Sequence, residues 1–170
     1  PLRILEIGFG TGLNAVVTAM ATTKDRKAHY ISLELYPVEA QLIEKLNYGE
    51  MVDNDLLMAL HQAQWNAPQV ISPTFTLEKL QCDFTQCSLP TDIDVVYFDA
   101  FAPEKQPEMW DESLFKRIYD AMSNGGILTT YCAKGEIRRR LQRVGFIVER
   151  LAGPPGGKRE ILRATKPSLD

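Results

Sequence analysis

Residues 4–15 read ILEIGFGTGLNA, so an apolar strand runs directly into a turn with glycines at positions 8, 10 and 12. Glycine adopts positive φ angles at little steric cost and lets a ligand approach the backbone closely. A strand, a glycine turn and a helix in this order are typical of the first unit of an open α/β sheet. The segment therefore predicts a ligand site at the N-terminus of the helix.

Strand-like and helix-like segments alternate along the rest of the chain, which predicts an α/β fold with a doubly wound, mainly parallel sheet and helices on both faces. Purely apolar stretches such as IDVVYF fit strands that are buried on both faces. Seven strands are predicted, at 2–7, 29–35, within 70–82, and at 93–100, 127–132, 146–151 and 159–165. Helices are predicted at 12–22, 110–122 and 135–144, with a helical insertion at 36–69 between strands two and three. Residues 1–170 are assigned to a single domain.

The composition is that of an ordinary globular protein, with 170 residues, 45% hydrophobic residues and a formal net charge of -3. No apolar run approaches the roughly 18 residues of a membrane helix, so no membrane partner is expected. The three cysteines lack metal-ligand spacing, which indicates reduced thiols and a cytoplasmic location. The chain begins at Pro1 within a strand-like segment, which is compatible with a missing upstream segment.

Charge is distributed unevenly along the chain. Residues 131–166 carry ten basic and three acidic residues, whereas residues 1–130 carry nine basic and eighteen acidic residues. One interpretation is a surface that binds a polyanion, with Arg138, Arg139, Lys158 and Arg159 among its residues. The other interpretation is the solvated face of an amphipathic helix, and the charge pattern does not separate the two.

Acidic residues accompany the glycine turn. The glycines are spaced G-x-G-x-G rather than G-x-G-x-x-G, and Glu6, two residues before Gly8, would repel a pyrophosphate but suits a cationic ligand. Glu34 lies at the end of the second strand, where acids hold ribose hydroxyls in nucleotide-binding folds. Together these residues resemble the S-adenosylmethionine (SAM) site of class I methyltransferases, which have a Rossmann-like fold. The resemblance implies SAM contacts from Glu6, Gly8, Gly10, Gly12, Asn14 and Glu34, and from Asp83 near the adenine.

A second unusual segment, YFDAFAPEKQPEMW at 97–110, contains the end of the apolar strand IDVVYF. Ligands of open α/β sheets bind beyond the carboxyl ends of the strands, so Asp99 is expected to face the reactive end of the cofactor. Pro103 and Pro107 fix their own φ angles and restrict the residues before them, which holds Phe101 and Lys105 in a stiff loop. The tryptophan that ends the segment is interpreted as a core residue.

The second segment resembles the D-[GA]-F-A-P-x-K-x-P-x-M-W stretch in the methyltransferase part of the MnmC family, which completes 5-methylaminomethyl-2-thiouridine at the tRNA wobble position. ILEIGFGTGLN, GGILTTYCAKGEIRRRLQRVGFIVER and GGKREILRA are similar to further motifs of that family, so the resemblance spans residues 4–164. It implies SAM-dependent methylation of 5-aminomethyl(-2-thio)uridine, with the tRNA anticodon stem-loop as partner. It also implies the stand-alone form, because no FAD-dependent oxidase domain follows residue 170.

The resemblance implies roles for individual residues. Asp99 is expected to orient the substrate amine and take its proton. Phe101 is expected to pack on the uracil, since base–aromatic stacking contributes about 1–3 kcal/mol; a core aromatic is the alternative interpretation. Lys105 is expected at a phosphate or at the uracil edge, with a solvated lysine as the alternative. The basic residues Arg138, Arg139, Lys158 and Arg159 are expected to bind the tRNA backbone.

Three other functions stay open from the sequence. A methyltransferase acting on a protein or small metabolite would share the glycine turn without needing the basic segment. A non-catalytic RNA-binding module could retain SAM as a structural ligand, although the acid at position 99 argues against it. A nicotinamide-dependent oxidoreductase is disfavoured by the glycine spacing. His29 and His61 have no cysteine or acid at ligand spacing, so they are interpreted as surface or packing residues and no metal site is predicted.

Overall fold

The computed structural model describes residues 1–46, 48–153, 155–156 and 160–168. Strands and helices alternate along the chain, which confirms the predicted α/β class. The chain forms two compact units, Pro1–Asp83 and Phe84–Asp170, and each contains both strands and helices. The assignment of residues 1–170 to a single domain stays a prediction. Within the described ranges, no helix is long and apolar enough to cross a membrane.

The first unit is built on a four-stranded sheet. Its elements, in chain order, are β1 (Leu2–Ile7), α1 (Leu13–Ala21), β2 (Ala28–Glu34), α2 (Ala40–Ile43), α3 (Asn54–Gln62), β3 (Pro68–Ser72) and β4 (Phe75–Gln81). The strand order is β3-β4-β2-β1. β2 runs parallel to β1 on one side and to β4 on the other, whereas β3 pairs antiparallel with β4. The carboxyl ends of β1, β2 and β4 therefore meet at one edge of this sheet.

Local sequence explains where the helices of the first unit begin. Gly12 precedes α1, and its φ of 84° turns the chain into the helix. α3 begins after Asp53, whose side chain accepts a hydrogen bond of 3.0 Å from the Leu56 N–H. This bond satisfies one of the amide groups that the first turn of a helix leaves unpaired. Because α2 and α3 lie between β2 and β3, the predicted helical insertion is confirmed.

The second unit contains β5 (Ile93–Phe98), α4 (Glu112–Ala121), β6 (Met122–Thr130), α5 (Gly135–Val144), β7 (Ile147–Ala152) and β8 (Glu160–Thr165). Its strand order is β5-β6-β8-β7, with β5 and β6 parallel and the other two pairs antiparallel. β5 and β6 pair in register through Tyr97 and Thr129. The segments that follow these two strands therefore start side by side.

The described part of the chain has eight strands, one more than the seven predicted. The segment VISPTFTLEKLQC was expected to contain one strand and holds parts of two, because β3 ends at Ser72 and β4 begins at Phe75. Pro73 lies in the turn between them. Proline has no N–H for strand pairing, so it interrupts the run and closes a hairpin. β6 also begins earlier than predicted, at Met122.

An aromatic cluster packs beneath the loop that follows β5. The Trp110 ring is 1% exposed and lies 4.8 Å from the Phe98 ring and 6.3 Å from the Phe115 ring, measured between centroids. Its indole Nε1–H donates a hydrogen bond of 2.7 Å to the carbonyl of Phe101. The buried core therefore fixes the loop backbone close to Asp99.

Replacing Trp110 with alanine should lower the free energy of unfolding by about 3–5 kcal/mol, because a buried ring is removed and a cavity remains. Trp110→Phe keeps a ring but loses the indole N–H, so we expect a smaller loss, of about 1–3 kcal/mol. Urea unfolding followed by circular dichroism measures both changes. Val70→Ala, at a position that is 78% exposed, is the control and should change stability by less than about 0.5 kcal/mol. Equal losses for Trp110→Ala and Val70→Ala would contradict the role given to the indole.

Candidate active site

The glycine turn after β1 is open on one side and packed on the other. Gly8, Gly10 and Gly12 have φ angles of 94°, 54° and 84°, which glycine adopts far more readily than other residues. A Cβ at Gly8 or Gly10 would meet no atom within 4 Å. A Cβ at Gly12 would lie 3.1 Å from His61 Nε2 and 3.2 Å from Phe9 Cζ. The turn thus leaves room for a ligand at its first two glycines, whereas the third is needed for close packing.

Two of the predicted acids lie at the edge of the sheet where the glycine turn begins. Glu34 ends β2, and its Oε1 accepts a hydrogen bond of 3.0 Å from the Gly10 N–H. Asp83 is half-buried and lies two residues beyond β4, the parallel neighbour of β2. The Cys82 N–H donates to the Glu34 carbonyl at 3.2 Å. The structure therefore brings Glu34 and Asp83 to the edge that carries the turn.

The third predicted acid of this unit, Glu6, is buried. It is 1% exposed, and its Oε1 accepts a hydrogen bond of 2.9 Å from the Ser32 hydroxyl on β2. Ser32 pairs in register with Glu6 of β1 and with Lys79 of β4, so the three residues form a row across adjacent strands. All three are buried, and we refer to Glu6, Ser32 and Lys79 as the polar row. Asn14, in the first turn of α1, is half-buried.

A cavity of about 810 Å³ opens in the second unit, at the carboxyl ends of β5 and β6. Asp99, directly after β5, lines it together with Thr130, Tyr131 and Cys132 at the end of β6. The other lining residues come from the proline-containing loop, the segment before α5 and the start of β8, and are Ala100, Ala102, Pro103, Glu104, Trp110, Ala133, Lys134 and Glu160. The predicted catalytic acid thus faces a space within the size range of ligand pockets.

Carboxylates dominate the charge of this cavity. Among the described residues, its lining contains Asp99, Glu104 and Glu160 and one basic side chain, that of Lys134. Glu160 also pairs with Arg150 on β7, at 3.5 Å. Lys134 and Glu104 form an ion pair that joins the loop after β5 to the segment before α5. Both side chains are more than half exposed, and such pairs contribute only about 0–1 kcal/mol, so little energy opposes their separation by a ligand. The lining therefore suits a ligand that carries a positive charge.

Two predicted substrate residues lie in the loop after β5 but do not line the cavity. The Phe101 side chain is 67% exposed, so the alternative interpretation as a core aromatic is wrong. Lys105 is exposed, and its backbone N–H donates to the Ala102 carbonyl at 2.8 Å within the turn. Lys134, which sequence reasoning did not select, lines the cavity instead.

The basic segment is extensively ion-paired. Glu136, at the start of α5, bonds to three arginines of that helix: Arg139 at 3.3 Å, Arg140 at 3.2 Å and Arg143 at 3.3 Å. These hydrogen bonds, that of Arg139 foremost, lower the pKa of Glu136. The local charge of α5 is therefore less positive than its arginines alone would make it.

Two of these arginines also connect elements of the second unit. Arg140 Nη1 donates to the carbonyl of Trp110 at 2.9 Å. Arg143 Nε donates to Glu112 Oε1, at the start of α4, at 2.7 Å. These contacts give both arginines a structural role.

The predicted RNA-binding residues of α5 have different surroundings. Arg138 is half-buried, and its Nε has no hydrogen-bond partner among the residues that the structure describes. Arg139 is exposed and is bonded to Glu136 of its own helix. Lys158 and Arg159 lie outside the described residues. The part of the predicted basic surface that can be placed is therefore Arg138 and Arg139.

Comparison with known proteins identifies the family. A profile of S-adenosyl-L-methionine-dependent methyltransferases matches residues 61–167. The chain is 32% identical over 173 residues to the tRNA 5-methylaminomethyl-2-thiouridine biosynthesis bifunctional protein MnmC of Marinomonas sp., covering 93% of this chain and 25% of that protein. It is also 32% identical over 173 residues to the protein of the same name from Leptospira interrogans, covering 94% of this chain and 26% of that protein.

Solved structures share the fold. MnmC2 from Aquifex aeolicus aligns with a TM-score of 0.78 and 23% identity, covering 99% of this chain and 56% of that chain. A SAM-dependent O-methyltransferase from Thermotoga maritima aligns with a TM-score of 0.61 and 19% identity, covering 99% of this chain and 60% of that one. These likenesses confirm the predicted Rossmann-like methyltransferase fold.

The chain belongs to the family of S-adenosyl-L-methionine-dependent methyltransferases. The similarity to MnmC proteins confirms the resemblance found in the motifs. The chain spans about a quarter of the length of the curated relatives that it matches.

SAM fits the residues of the first unit. The open side of the glycine turn accommodates an amino-acid moiety next to the start of α1, and carboxylates at the ends of β2 and β4 suit the hydroxyls and amino group of an adenosine. The individual cofactor contacts predicted for Glu6, Gly8, Gly10, Gly12, Asn14, Glu34, Asp83 and Asp99 stay predictions. The described residues contain no group of three or more histidines, cysteines or acids that could hold a metal ion.

Sequence reasoning missed several residues of these two sites. Tyr131 follows β6 as Asp99 follows β5, so the rule that ligands bind at strand ends could have found it. Lys79 occupies an inward-facing position of β4, where apolar residues are expected. A lysine at such a position could have indicated a buried residue with a specific role. His61 contacts the glycine turn, but nothing in its sequence neighbourhood indicates this.

The burial of Lys79 should make the free energy of unfolding depend on pH in the alkaline range. Burial lowers the pKa of Lys79 from 10.5 to about 8. Since the unfolded chain then binds more protons than the folded chain between these two values, the free energy of unfolding should rise with pH across this range. The gain attributable to Lys79 is about 3 kcal/mol at most. The titratable side chain that interacts with Lys79 is that of His61 on α3, whose pKa Lys79 lowers. Glu6 lies two strands away, on the other side of Ser32 in the polar row.

Urea unfolding at several pH values between 8 and 10, compared for the wild type and Lys79→Met, isolates this effect. The difference in stability between the two proteins should shrink or reverse in favour of the wild type as pH rises. Lys27→Met, at an exposed position, is the control and should follow the wild type. A pH-independent difference between Lys79→Met and the wild type would show that the Lys79 ammonium is not destabilised by burial.

Proposed function

We propose that this chain is an N-methyltransferase that converts 5-aminomethyl(-2-thio)uridine at the tRNA wobble position to 5-methylaminomethyl(-2-thio)uridine. The names of relatives that are 32% identical to it refer to tRNA 5-methylaminomethyl-2-thiouridine biosynthesis. Because the chain matches about a quarter of their length, the proposal concerns the methyl-transfer step and not FAD-dependent oxidation. We place the reaction in the cytoplasm, where the three free cysteines would stay reduced.

The observation that carries the proposal is the acidic cavity around Asp99. A primary aminomethyl group is a cation when protonated, and a carboxylate favours such a group over a neutral one. Asp99 lines the cavity with Glu104 and Glu160, whose ion pairs with Lys134 and Arg150 are solvent-exposed and cost little to exchange for a cationic ligand. The cavity volume of about 810 Å³ is also ample for a uracil ring that has left its stack. The site thus suits a modified base that consists of a planar ring and a cationic substituent.

Asp99 is the residue to which we assign proton removal. When SAM is bound, it supplies a methyl group attached to a positively charged sulfur. The amine must present a neutral nitrogen lone pair, so it loses a proton before or as it forms its new bond to the methyl carbon. The bond from that carbon to sulfur would break at the same time, and its electron pair would stay on sulfur as a neutral thioether. Asp99 is exposed in the cavity and carries an oxygen that can orient the amine and accept this proton. Alignment of the amine by the surrounding carboxylates contributes the larger part of the rate.

Two exposed aromatic side chains are our candidates for contacts to the base. Phe101 and Tyr131 are 67% and 54% exposed, and they lie just beyond the ends of the paired strands β5 and β6. Exposed rings beside a polar cavity offer stacking surfaces, each of which contributes about 1–3 kcal/mol to the binding of an unstacked base. The hydrogen bond from Trp110 to the Phe101 carbonyl limits the freedom that this loop loses on binding.

Methyl transfer from labelled SAM to two tRNA pools tests the proposal. One pool carries 5-aminomethyl(-2-thio)uridine at the wobble position, and the other lacks it. We expect label in the first pool alone, because the reaction needs the primary amine. Label in both pools, or in neither pool while SAM still binds, would contradict the proposed substrate.

Asp99→Asn in the same assay tests the role of the acid. The amide keeps the shape of the side chain but cannot take a proton, so we expect turnover to fall by a factor of at least about 100 while SAM binding is retained. Asp92→Asn is the matched control, because Asp92 is exposed and has a φ of 57°, which asparagine also adopts readily. Near-normal turnover of Asp99→Asn would remove this residue from the mechanism.

Reversing charge on α5 tests the RNA-binding surface. The double variant Arg138→Glu/Arg139→Glu should weaken tRNA binding by a factor of ten or more at low salt. It should also make the slope of log K against log salt shallower by about 1.4, since each lost phosphate contact removes about 0.7. Filter binding across a salt series measures both effects, and the KM for SAM should not change.

The matched control for this charge reversal is Lys24→Glu/Lys27→Glu. These two lysines are exposed in the segment before β2, at the opposite edge of the first unit's sheet from the glycine turn. The control makes the same change in net charge, so a general electrostatic effect would weaken tRNA binding equally in both double variants. Equal weakening would refute a specific surface on α5.

A further inference from the structure

The glycine turn is held by side chains from the helical insertion. His61, in the last turn of α3, places its Nε2 2.6 Å from the carbonyl oxygen of Thr11. The Tyr48 hydroxyl, which precedes α3 in the insertion, donates to Thr11 Oγ1 at 2.6 Å. Both contacts are made to Thr11, which lies between Gly10 and Gly12 in the turn. The insertion therefore fixes the backbone of the turn.

The contact between His61 and Thr11 defines the state of the imidazole. A carbonyl oxygen only accepts hydrogen bonds, so Nε2 must carry a hydrogen, either in the neutral ring or in the cation. Desolvation by burial lowers the pKa of His61, with a smaller opposing effect from the Thr11 bond and a further lowering from Lys79. Near neutral pH the ring is therefore an uncharged donor to the turn.

Lys79, on β4, forms a hydrogen bond to the C-terminal end of α3. It is 1% exposed, and its Nζ donates to the backbone carbonyl of His61 at 2.9 Å. The last carbonyls of a helix have no partner within the helix and carry partial negative charge, which an ammonium group stabilises. The same ammonium lies over the rings of Trp65 and Phe9, 4.7 Å and 5.4 Å from their centroids. Lys79 therefore contacts the helix end and the ring beside the glycine turn.

These contacts form a continuous chain from β4 to the turn. Lys79 fixes the carbonyl of His61, the His61 ring fixes the carbonyl of Thr11, and the Phe9 ring packs edge-on against His61 with centroids 5.2 Å apart. The clearance around Gly12 is small, since a Cβ there would lie 3.1 Å from His61 Nε2. A displacement of the helix end would therefore move the turn.

We propose that His61 and Lys79 are positioning residues for the cofactor, because together they hold the Thr11 carbonyl and with it the glycine turn in the conformation that binds SAM. The inference rests on the proposed use of the glycine turn as the SAM site. Neither residue lines the cavity at Asp99, so we expect their effect on the affinity for SAM and not on the chemical step.

SAM binding by isothermal titration calorimetry tests the inference with three variants. His61→Leu removes the donor and should weaken SAM binding about tenfold. His61→Gln places an amide N–H near the original Nε2 and should restore binding to within about threefold of the wild type. Lys79→Met fills the space between the two rings without an ammonium and should weaken SAM binding about fivefold. His61→Leu and Lys79→Met should raise the KM for SAM while leaving kcat at saturating SAM within twofold.

Measurements of stability separate a positioning role in SAM binding from a general role in folding. A variant that only damages the fold would lose stability and affinity together. Lys79→Met removes a buried charge, so near neutral pH its midpoint of urea unfolding should be equal to or higher than that of the wild type, while its SAM affinity falls. His29→Leu is the matched control: His29, the other histidine of the chain, bonds to Glu78 at 3.1 Å on the first unit's sheet and should leave SAM affinity unchanged.

The outcomes distinguish this inference from the proposed function. Weaker SAM binding in His61→Leu and Lys79→Met, with recovery in His61→Gln, supports the inference even if no tRNA is methylated. SAM affinities of both variants within twofold of the wild type would overturn it, whatever the activity on tRNA. A wild-type protein that binds no SAM would overturn it together with the assignment of the glycine turn.

Discussion

Ring N–H groups hold both loops that carry the candidate site residues. In the first unit the His61 ring contacts the carbonyl of Thr11, and in the second unit the Trp110 ring contacts the carbonyl of Phe101. Each loop leaves the carboxyl end of a parallel strand, where its backbone groups no longer have strand partners and must bond elsewhere. A ring turns about only two side-chain torsions, so it transmits the position of its own backbone to the loop. The geometry of each site therefore depends on the residues packed behind it.

Charge is separated within the second unit in a way that matches a particular kind of substrate. The cavity at Asp99 is lined mainly by carboxylates, whereas α5 exposes arginines that are bonded mostly to Glu136. Exposed ion pairs of this kind have a small net energy, so exchanging a carboxylate partner for a phosphate costs little. An RNA that is anionic along its backbone and cationic at the reacting group satisfies both surfaces, whereas a small cationic metabolite would use only the cavity.

The features that sequence reasoning predicted correctly are encoded locally. Positive φ angles at alternating glycines follow from residue type, and Asp99 lies at a strand end because the apolar run stops there. The eighth strand was missed because strand-forming residues lie on both sides of Pro73 and were assigned to one strand, whereas they belong to β3 and β4, which pair antiparallel. The choice between Lys105 and Lys134 could not be made from the sequence. It depends on a turn in which the Lys105 N–H bonds to the Ala102 carbonyl and on an ion pair with a distant segment.

The polar row shows why supporting residues are harder to predict than loop residues. In β4 the inward-facing positions alternate with the others, so the sequence FTLEKLQ places Lys79 on the same buried face as Phe75 and Leu77. That pattern indicates that the lysine is buried but does not indicate its neighbours. Ser32 and Glu6 lie in the same row as Lys79 only because β1, β2 and β4 pair in this register. An isolated buried ammonium costs several kcal/mol, and a helix end and two ring faces from other elements offset that cost here. Since those same partners border the glycine turn, the contacts that make a charge tolerable in the core also connect the core to the cofactor site.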